Sequence, residues 1–166
     1  FESLTFDLFD GVGLAFAASG QPALNQALAE EAKRRGIWVN VADAPDQSDF
    51  FLPAVLEQGS VQLTVATGGS SPALSAKIAE DLRGRYGPEY GRLASLMSHL
   101  RPLILSSDLD IQARGEIFKR LVNSDELILT LTRDDQKALN SILSELLKPI
   151  SLPAGYLSPP HETEPD

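Results

Sequence analysis

A strand-length apolar run, a helical run and a second apolar run follow one another with almost no linker over residues 12–42. Val12–Ala18 (VGLAFAA) is small, apolar and continuous, the pattern of a strand buried on both faces. Ser19-Gly20-Gln21-Pro22 reads as a turn, with Pro22 suited to the first helical position. A helix is expected over residues 23–35, where Leu24, Leu28 and Ala32 recur every four residues and Gly36 suits the C-terminal stop. Ile37–Ala42 is the second strand. Strand, helix, strand in this order is a βαβ unit, which is nearly always parallel and right-handed. In an open parallel sheet, ligands sit outside the carboxyl ends of the strands. Asp43 lies at such an end.

One βαβ unit is too small to be a domain. The chain is therefore expected to enter a doubly wound sheet part-way through, with its N-terminal part absent. The glycine-rich nucleotide turn normally lies in the first βα connection, and no G-x-G-x-x-G occurs in these 166 residues.

Residues 46–60 carry Phe50, Phe51, Leu52, Val55 and Leu56 around Pro53, an apolar connector expected as strand and then one helical turn. Val61–Ala66 alternates, so it is a strand with one more polar face. Ser71 suits the N-cap and Pro72 the first position of the next helix. Leu74, Ile78 and Leu82 give that helix its buried stripe, and Gly84 or Gly87 its end. From Pro88 the pattern is helical only, with helices expected over 89–100, 110–121 and 133–147. Arg101-Pro102 and Asn123-Ser124-Asp125 are the expected breaks. The tail, residues 151–166, is Pro-rich and acidic and reads as disordered. The approach Phe1–Asp10 is short, apolar and acidic.

Three sets of residues could carry chemistry. Asp43 could act as a general base at the ligand side of the sheet, although Asp before Ala-Pro is also an ordinary turn former. Thr67-Gly68-Gly69-Ser70-Ser71-Pro72 places two glycines before a capped helix. Free backbone N–H groups and the helix dipole favour an anion there, while a tight strand–helix turn needs no ligand. Asn25 has the position of a capping residue, and Asn40, within an apolar strand, is expected to brace the Asp43 loop. His99 falls late in a helix and is more often a surface or capping residue than a ligand, and His161 is in the tail. Lys77, Arg83, Arg85, Arg92 and Arg101 read singly as a solvated face and together as possible partners of a polyanion.

Composition narrows the classes. A formal net charge of −9 argues against non-specific nucleic-acid binding, which needs clustered cations. The absence of cysteine removes thiolate metal sites, disulfides and cysteine nucleophiles, and is compatible with a reducing compartment. No apolar run approaches the roughly 20 residues of a bilayer span, and no signal segment stands at Phe1. A cytoplasmic protein with no membrane and no nucleic-acid partner is the expectation.

With these residues in view, the chain resembles the precorrin-2 dehydrogenase/sirohydrochlorin ferrochelatase module, which occurs alone or at the front of sirohaem synthase. The matching segments are Gly11–Ala18 with Leu24-Asn25, Gly36–Pro45 (GIWVNVADAP), Asp49–Pro53 (DFFLP), Val65–Leu74 (VATGGSSPAL) and Leu82 with Gly91-Arg92-Leu93. They cover most of residues 10–100 and, by pattern only, the helices to about 147. The resemblance implies an α/β fold: a partial Rossmann-like parallel sheet, a dimerisation segment and a helical lobe. In this sequence these correspond to 1–45, 46–88 and 89–150, with 151–166 as the tail. It implies NAD-dependent oxidation of precorrin-2 to sirohydrochlorin, in some members ferrous iron insertion as a further substrate step, and a homodimer. The family's catalytic Asp falls on Asp43, and its S/TGG loop residue on Thr67. Thr67, Gly68, Gly69, Ser70 and Asn40 are then expected on the tetrapyrrole side, and Ala18, Ser19 and Asn25 on the cofactor side.

The chain departs from the family in three places, one of them the helical part from Pro102, which matches by pattern and not by residues. The glycine-rich NAD turn would lie upstream of Phe1, and the usual Ala-Ala-Thr-Asp is here Ala-Ala-Ser19-Gly20. A chelatase without dehydrogenase activity, or a non-catalytic tetrapyrrole-binding dimeric module, are the alternatives.

Overall fold

The computed structural model describes residues 9–42, 44–133 and 135–151. Asp43, the segment before Phe9 and the tail beyond Ser151 lie outside the described residues, as do the expectations made for them. The described residues form two compact units. One holds those up to Ala54 with Thr64–Ala79, the other Val55–Leu63 with those from Glu80 onward.

In the first unit, β1 (Leu14–Ala17) and β2 (Trp38–Val41) pair in parallel, in the register Leu14↔Trp38 to Ala17↔Val41. α1 (Pro22–Arg34) is the crossover between them. Pro22 opens it as expected, and its end is a Schellman motif. Gly36 N–H donates to Lys33 O at 3.0 Å and Ile37 N–H to Ala32 O at 2.9 Å. Gly36 sits at φ +71°, a conformation that favours glycine. Ile37, the next residue, is buried with Ala32, so the helix passes straight into the strand.

The core of this unit is Phe9, Ala17, Ala29, Ala32, Ile37, Val39 and Val41. The helix stripe is therefore turned from the expected one. Asn25, Ala29 and Ala32 are buried, while Leu24 and Leu28 flank them half-buried. Small side chains bring the helix axis close to the sheet, where leucines would hold it off. β1 is buried on one face, not both. Ala17 is covered, whereas Leu14 and Phe16 stand 56% and 55% exposed beside Trp38 at 61%. Among the described residues, α1 covers one side of this sheet, so alternation replaces continuous burial.

After β2 the order is the reverse of that expected. A single 3-10 turn, Pro45–Gln47, comes first and β3 (Ala54–Gln58) follows. β4 (Val61–Val65) pairs with β3 across a two-residue turn, which makes the pair a hairpin. Its alternation is as expected, with Gln62 and Thr64 outward. α2 (Pro72–Arg85) begins as expected, Ser71 Oγ accepting from Leu74 N at 3.2 Å. Its stripe differs: Ser75 and Ala79 are buried while Leu74 and Ile78 are exposed. The helix passes through Gly84, and Gly87 becomes the N-cap of the next helix.

The second unit is built on α3 (Pro88–Leu105), α4 (Ile111–Val122), α5 (Asp125–Arg133) and α6 (Gln136–Leu146). Leu93, Leu100, Ile104, Ile117, Leu121, Leu127, Leu131, Leu143 and Leu147 form its core. Two expectations fail here. Arg101-Pro102 does not break the chain, because α3 continues through Pro102. Proline forgoes one helical hydrogen bond, but Leu100 and Ile104 on either side are completely buried and hold the helix together. Residues 125–133 form a helix of their own, and Arg133 ends it instead of starting the last one. The last helix begins after Asp135, whose carboxylate accepts from Ala138 N at 3.0 Å. Asp110 caps α4 in the same way through Ala113 N at 2.7 Å.

Candidate active site

The carboxyl half of β2 is tied to the chain that returns beside it. Asp49 N–H donates to Val39 O at 2.8 Å, and Val39 N–H to Asp49 Oδ2 at 2.9 Å. Val41 N–H donates to Ser48 Oγ at 2.9 Å. Asn40 Nδ2 donates to Phe50 O at 2.8 Å. Asn40 thus braces the strand against Phe50 through its side-chain amide. The Phe50 ring meets Phe16 edge-on, with centroids 5.4 Å apart.

Phe51 carries this arrangement to the glycine pair. A Cβ on Gly69 would stand 2.7 Å from Phe51 Cζ, so the Gly69 backbone lies directly on that ring. Gly68 and Gly69 have φ of +61° and +80°, and Ser70 N–H donates to Thr67 O at 3.1 Å. Two positive φ values inside such a closed turn are the type I′ pattern that Gly-Gly satisfies without strain. The Thr67 hydroxyl closes the loop further. Its Oγ1 donates to Ser71 O at 3.0 Å and accepts from Ser71 N at 3.1 Å. Gly69 and Phe51 therefore link the carboxyl half of β2 to the start of α2 within one unit.

At the carboxyl end of β1, the loop Ala18-Ser19-Gly20 is pinned from below. Asn25 Oδ1 accepts from Ser19 N at 2.9 Å and from Ser19 Oγ at 2.7 Å. Asn25, itself buried, holds this loop instead of capping the helix. Ala18 and Gly20 are exposed, and a Cβ on Gly20 would meet nothing within 4 Å. The loop is thus held by Asn25 on its inner side and open on its outer side.

Four of the cations are bonded or stacked within the second unit. Arg92 donates to Leu131 O at the end of α5. Arg101 stacks over Phe118, Arg85 over Tyr86, and Arg83 pairs with Glu80. His99 falls in the middle of α3, because that helix runs on to Leu105. Among the described residues no three His, Asp or Glu side chains converge as metal ligands. An open groove of about 330 Å³ lies at the opposite, amino end of β2, lined by Lys33, Gly36, Ile37, Trp38 and Asp49. It includes none of the candidate residues.

The roles of Ser48, Asp49 and Phe51 emerge only from the structure. Ser-Asp in a loop is a known hydrogen-bonding signal, but nothing local says that its partner is the preceding strand.

Comparison with known proteins places these elements. Residues 2–54 match the family described as "Putative NAD(P)-binding". The chain is 31% identical over 140 residues to siroheme synthase 2 of Klebsiella pneumoniae, covering 84% of this chain and 31% of that protein. It is 33% identical over 141 residues to siroheme synthase 1 of Aeromonas hydrophila, covering 85% and 30%. It thus spans about a third of the length of these relatives. Among solved structures, SirC, precorrin-2 dehydrogenase, aligns at a TM-score of 0.66 and 23% identity, covering 85% of this chain and 68% of that one.

A parallel β-α-β unit followed by a hairpin and a set of helices defines an α/β protein, and its first third carries the match to the putative NAD(P)-binding family. Over 84–85% of its length the chain is similar to these siroheme synthases, and its fold is that of the precorrin-2 dehydrogenase structure.

Proposed function

We propose that the chain acts in sirohaem biosynthesis, oxidising precorrin-2 to sirohydrochlorin with NAD. The observation that carries this reading is the link through Phe51 between the carboxyl half of β2 and the Gly68-Gly69 turn. It supports a single substrate wall made from both loops. The oxidation removes a hydride and a proton from the macrocycle. NAD, when bound, supplies the hydride acceptor, and the loop Ala18-Ser19-Gly20 with Asn25 behind it would form part of its seat. Asp43 accepts the proton as general base. Thr67 fixes the turn, and Gly68, Gly69 and Ser70 present backbone to a substrate carboxylate, with Asn40 supporting the wall behind. In ferrous iron insertion the metal is a substrate, and the same carboxylate accepts the pyrrole N–H protons that leave.

The domain boundaries proposed are 1–45, 46–88 and 89–150, with the tail at 151–166. The chain pairs as a homodimer through the 46–88 segment, in which Phe51, Leu52 and Val55 are exposed. A monomer by light scattering at micromolar concentration refutes this. No described helix is long and apolar enough to cross a membrane. We place its work in the cytoplasm, on a small molecule, and the net charge of −9 argues against a nucleic-acid partner.

Asp43→Ala tests the reading. Sirohydrochlorin formation should fall by about 10²–10⁴-fold while the far-ultraviolet dichroism is unchanged. A variant as fast as the parent sinks the mechanism. One observation favours a second reading, chelation with weak or no dehydrogenase activity: Ser19-Gly20 stands where the family usually has Thr-Asp, so the loop after β1 lacks that carboxylate. That reading expects sirohaem from sirohydrochlorin and ferrous iron, and little or no sirohydrochlorin from precorrin-2 and NAD.

A further inference from the structure

We infer that Ser48 is a positioning residue for the carboxyl end of β2, and through it for the base proposed at Asp43. This rests on the reading of Asp43 given above. The Ser48 hydroxyl accepts from Val41 N at 2.9 Å and reaches Ala44 O at 3.1 Å and Val41 O at 3.3 Å. It has one proton to donate, and Ala44 O is the nearer acceptor. One side chain therefore clamps the last residue of the strand and the residue just after Asp43. Backbone bonds complete the clamp. Ala44 N–H donates to Val41 O at 3.3 Å, Gln47 N–H to Ala44 O at 3.1 Å and Ser48 N–H to Pro45 O at 3.2 Å. Ser48 is itself immobilised, because its neighbour Asp49 is bonded twice to Val39.

The chemistry gives this clamp a purpose. A general base must be held within hydrogen-bond reach of the proton it takes, and small misplacements are costly. Phe50, bonded to Asn40, and Phe51, whose ring meets Gly69, follow Ser48 after Asp49 along the same strand edge. Ser48 thus ties Val41 and Ala44, on either side of the proposed base in sequence, to the segment that supports the substrate wall.

The full chain, assayed for sirohydrochlorin formation from precorrin-2 and NAD, tests this. Ser48→Ala should lower kcat by about ten- to a hundredfold with KM for precorrin-2 unchanged, and Ser48→Thr, which keeps the hydroxyl, should restore most of it. In an Asp43→Asn background, Ser48→Ala should cause no further loss. Wild-type kcat in Ser48→Ala, no rescue by threonine, or an equal loss in the Asp43→Asn background each overturns the inference. An Asp43→Asn protein that keeps its rate overturns instead the reading beneath it. Hydrogen exchange on the unsubstituted chain needs no variant. The Val41 amide should exchange as slowly as the amides of the β1–β2 ladder, and exchange at the rate of an open loop overturns the clamp.

Discussion

Gly69 rests against the Phe51 ring so closely that a single added methyl would lie 2.7 Å from Cζ. The two residues stand in different loops, and their contact joins the strand edge to the helix start. Gly69→Ala meets two costs: a side chain at φ +80° and displacement of the ring. The expected destabilisation in urea unfolding is about 2–3 kcal/mol. In a Phe51→Ala background the ring cost vanishes, and about 1–2 kcal/mol should remain for the backbone. Equal losses in both backgrounds would show that the ring simply moves aside.

Glycines within helices separate the same two effects. Gly91, buried in α3, would place a Cβ 2.5 Å from the Gln58 carbonyl oxygen and 2.8 Å from its carbon. Backbone cannot step aside cheaply. Gly91→Ala gains about 1 kcal/mol of helix propensity and still loses overall, by about 1–2 kcal/mol. Gly84, inside α2, has nothing within 4 Å. Gly84→Ala should stabilise by about 0.5–1 kcal/mol in the same experiment.

Asn25 acts on the loop after β1 solely as an acceptor, receiving the Ser19 N–H and hydroxyl on one oxygen. Asn25→Ala should free that loop. If the loop seats the cofactor, KM for NAD rises by about tenfold, the equivalent of about 1.4 kcal/mol, with KM for precorrin-2 unchanged. Steady-state kinetics with each substrate varied in turn measures both, and an unchanged KM for NAD removes the loop from the cofactor site.

Glu31 gives one acid-sensitive feature. Its carboxylate receives Arg34 Nε at 2.7 Å and Nη2 at 2.6 Å, together with Arg35 Nε. Hydrogen bonds from Arg34 and then Arg35 lower its pKa from 4.5 to about 2. A carboxylate with a depressed folded-state pKa stabilises fully above the unfolded value and loses that contribution as pH falls through the folded one. Thermal melts of the parent and Glu31→Gln should therefore differ most above pH 4.5 and converge toward pH 2. A constant difference across that window contradicts the pairing.

The parts of the fold legible in the sequence were those decided by local backbone chemistry. Gly36 marked the helix end because the Schellman motif needs a positive φ there. Ser71-Pro72 marked the start of α2 through its cap. Features decided by partners distant in sequence were not legible. Leu74 and Ile78 have the spacing of a buried stripe, yet the helix buries Ser75 and Ala79, because contact distance and not hydrophobicity selects the inner face. Pro102 looks like a break until the completely buried Leu100 and Ile104 are placed around it. Of the candidate site, the Gly-Gly turn followed from its residues, whereas the roles of Ser48 and Phe51 depend on the strand and turn they meet. Asp43 itself rests on its place in the chain and on the resemblance.

The Schellman turn between α1 and β2 has a consequence for how such a chain can vary. Between Ala32, packed into the sheet, and Val39, in the middle of the strand, there is no slack: Ile37 is buried and Trp38 already pairs with Leu14. One inserted or deleted residue would reverse the alternation of β2, turning Val39 and Val41 outward and Trp38 and Asn40 inward. Descendants of this chain can therefore change residue types across this junction, but hardly its length, whereas the connection from Ser106 to Asp110, between two helices of the other unit, has no alternation to keep.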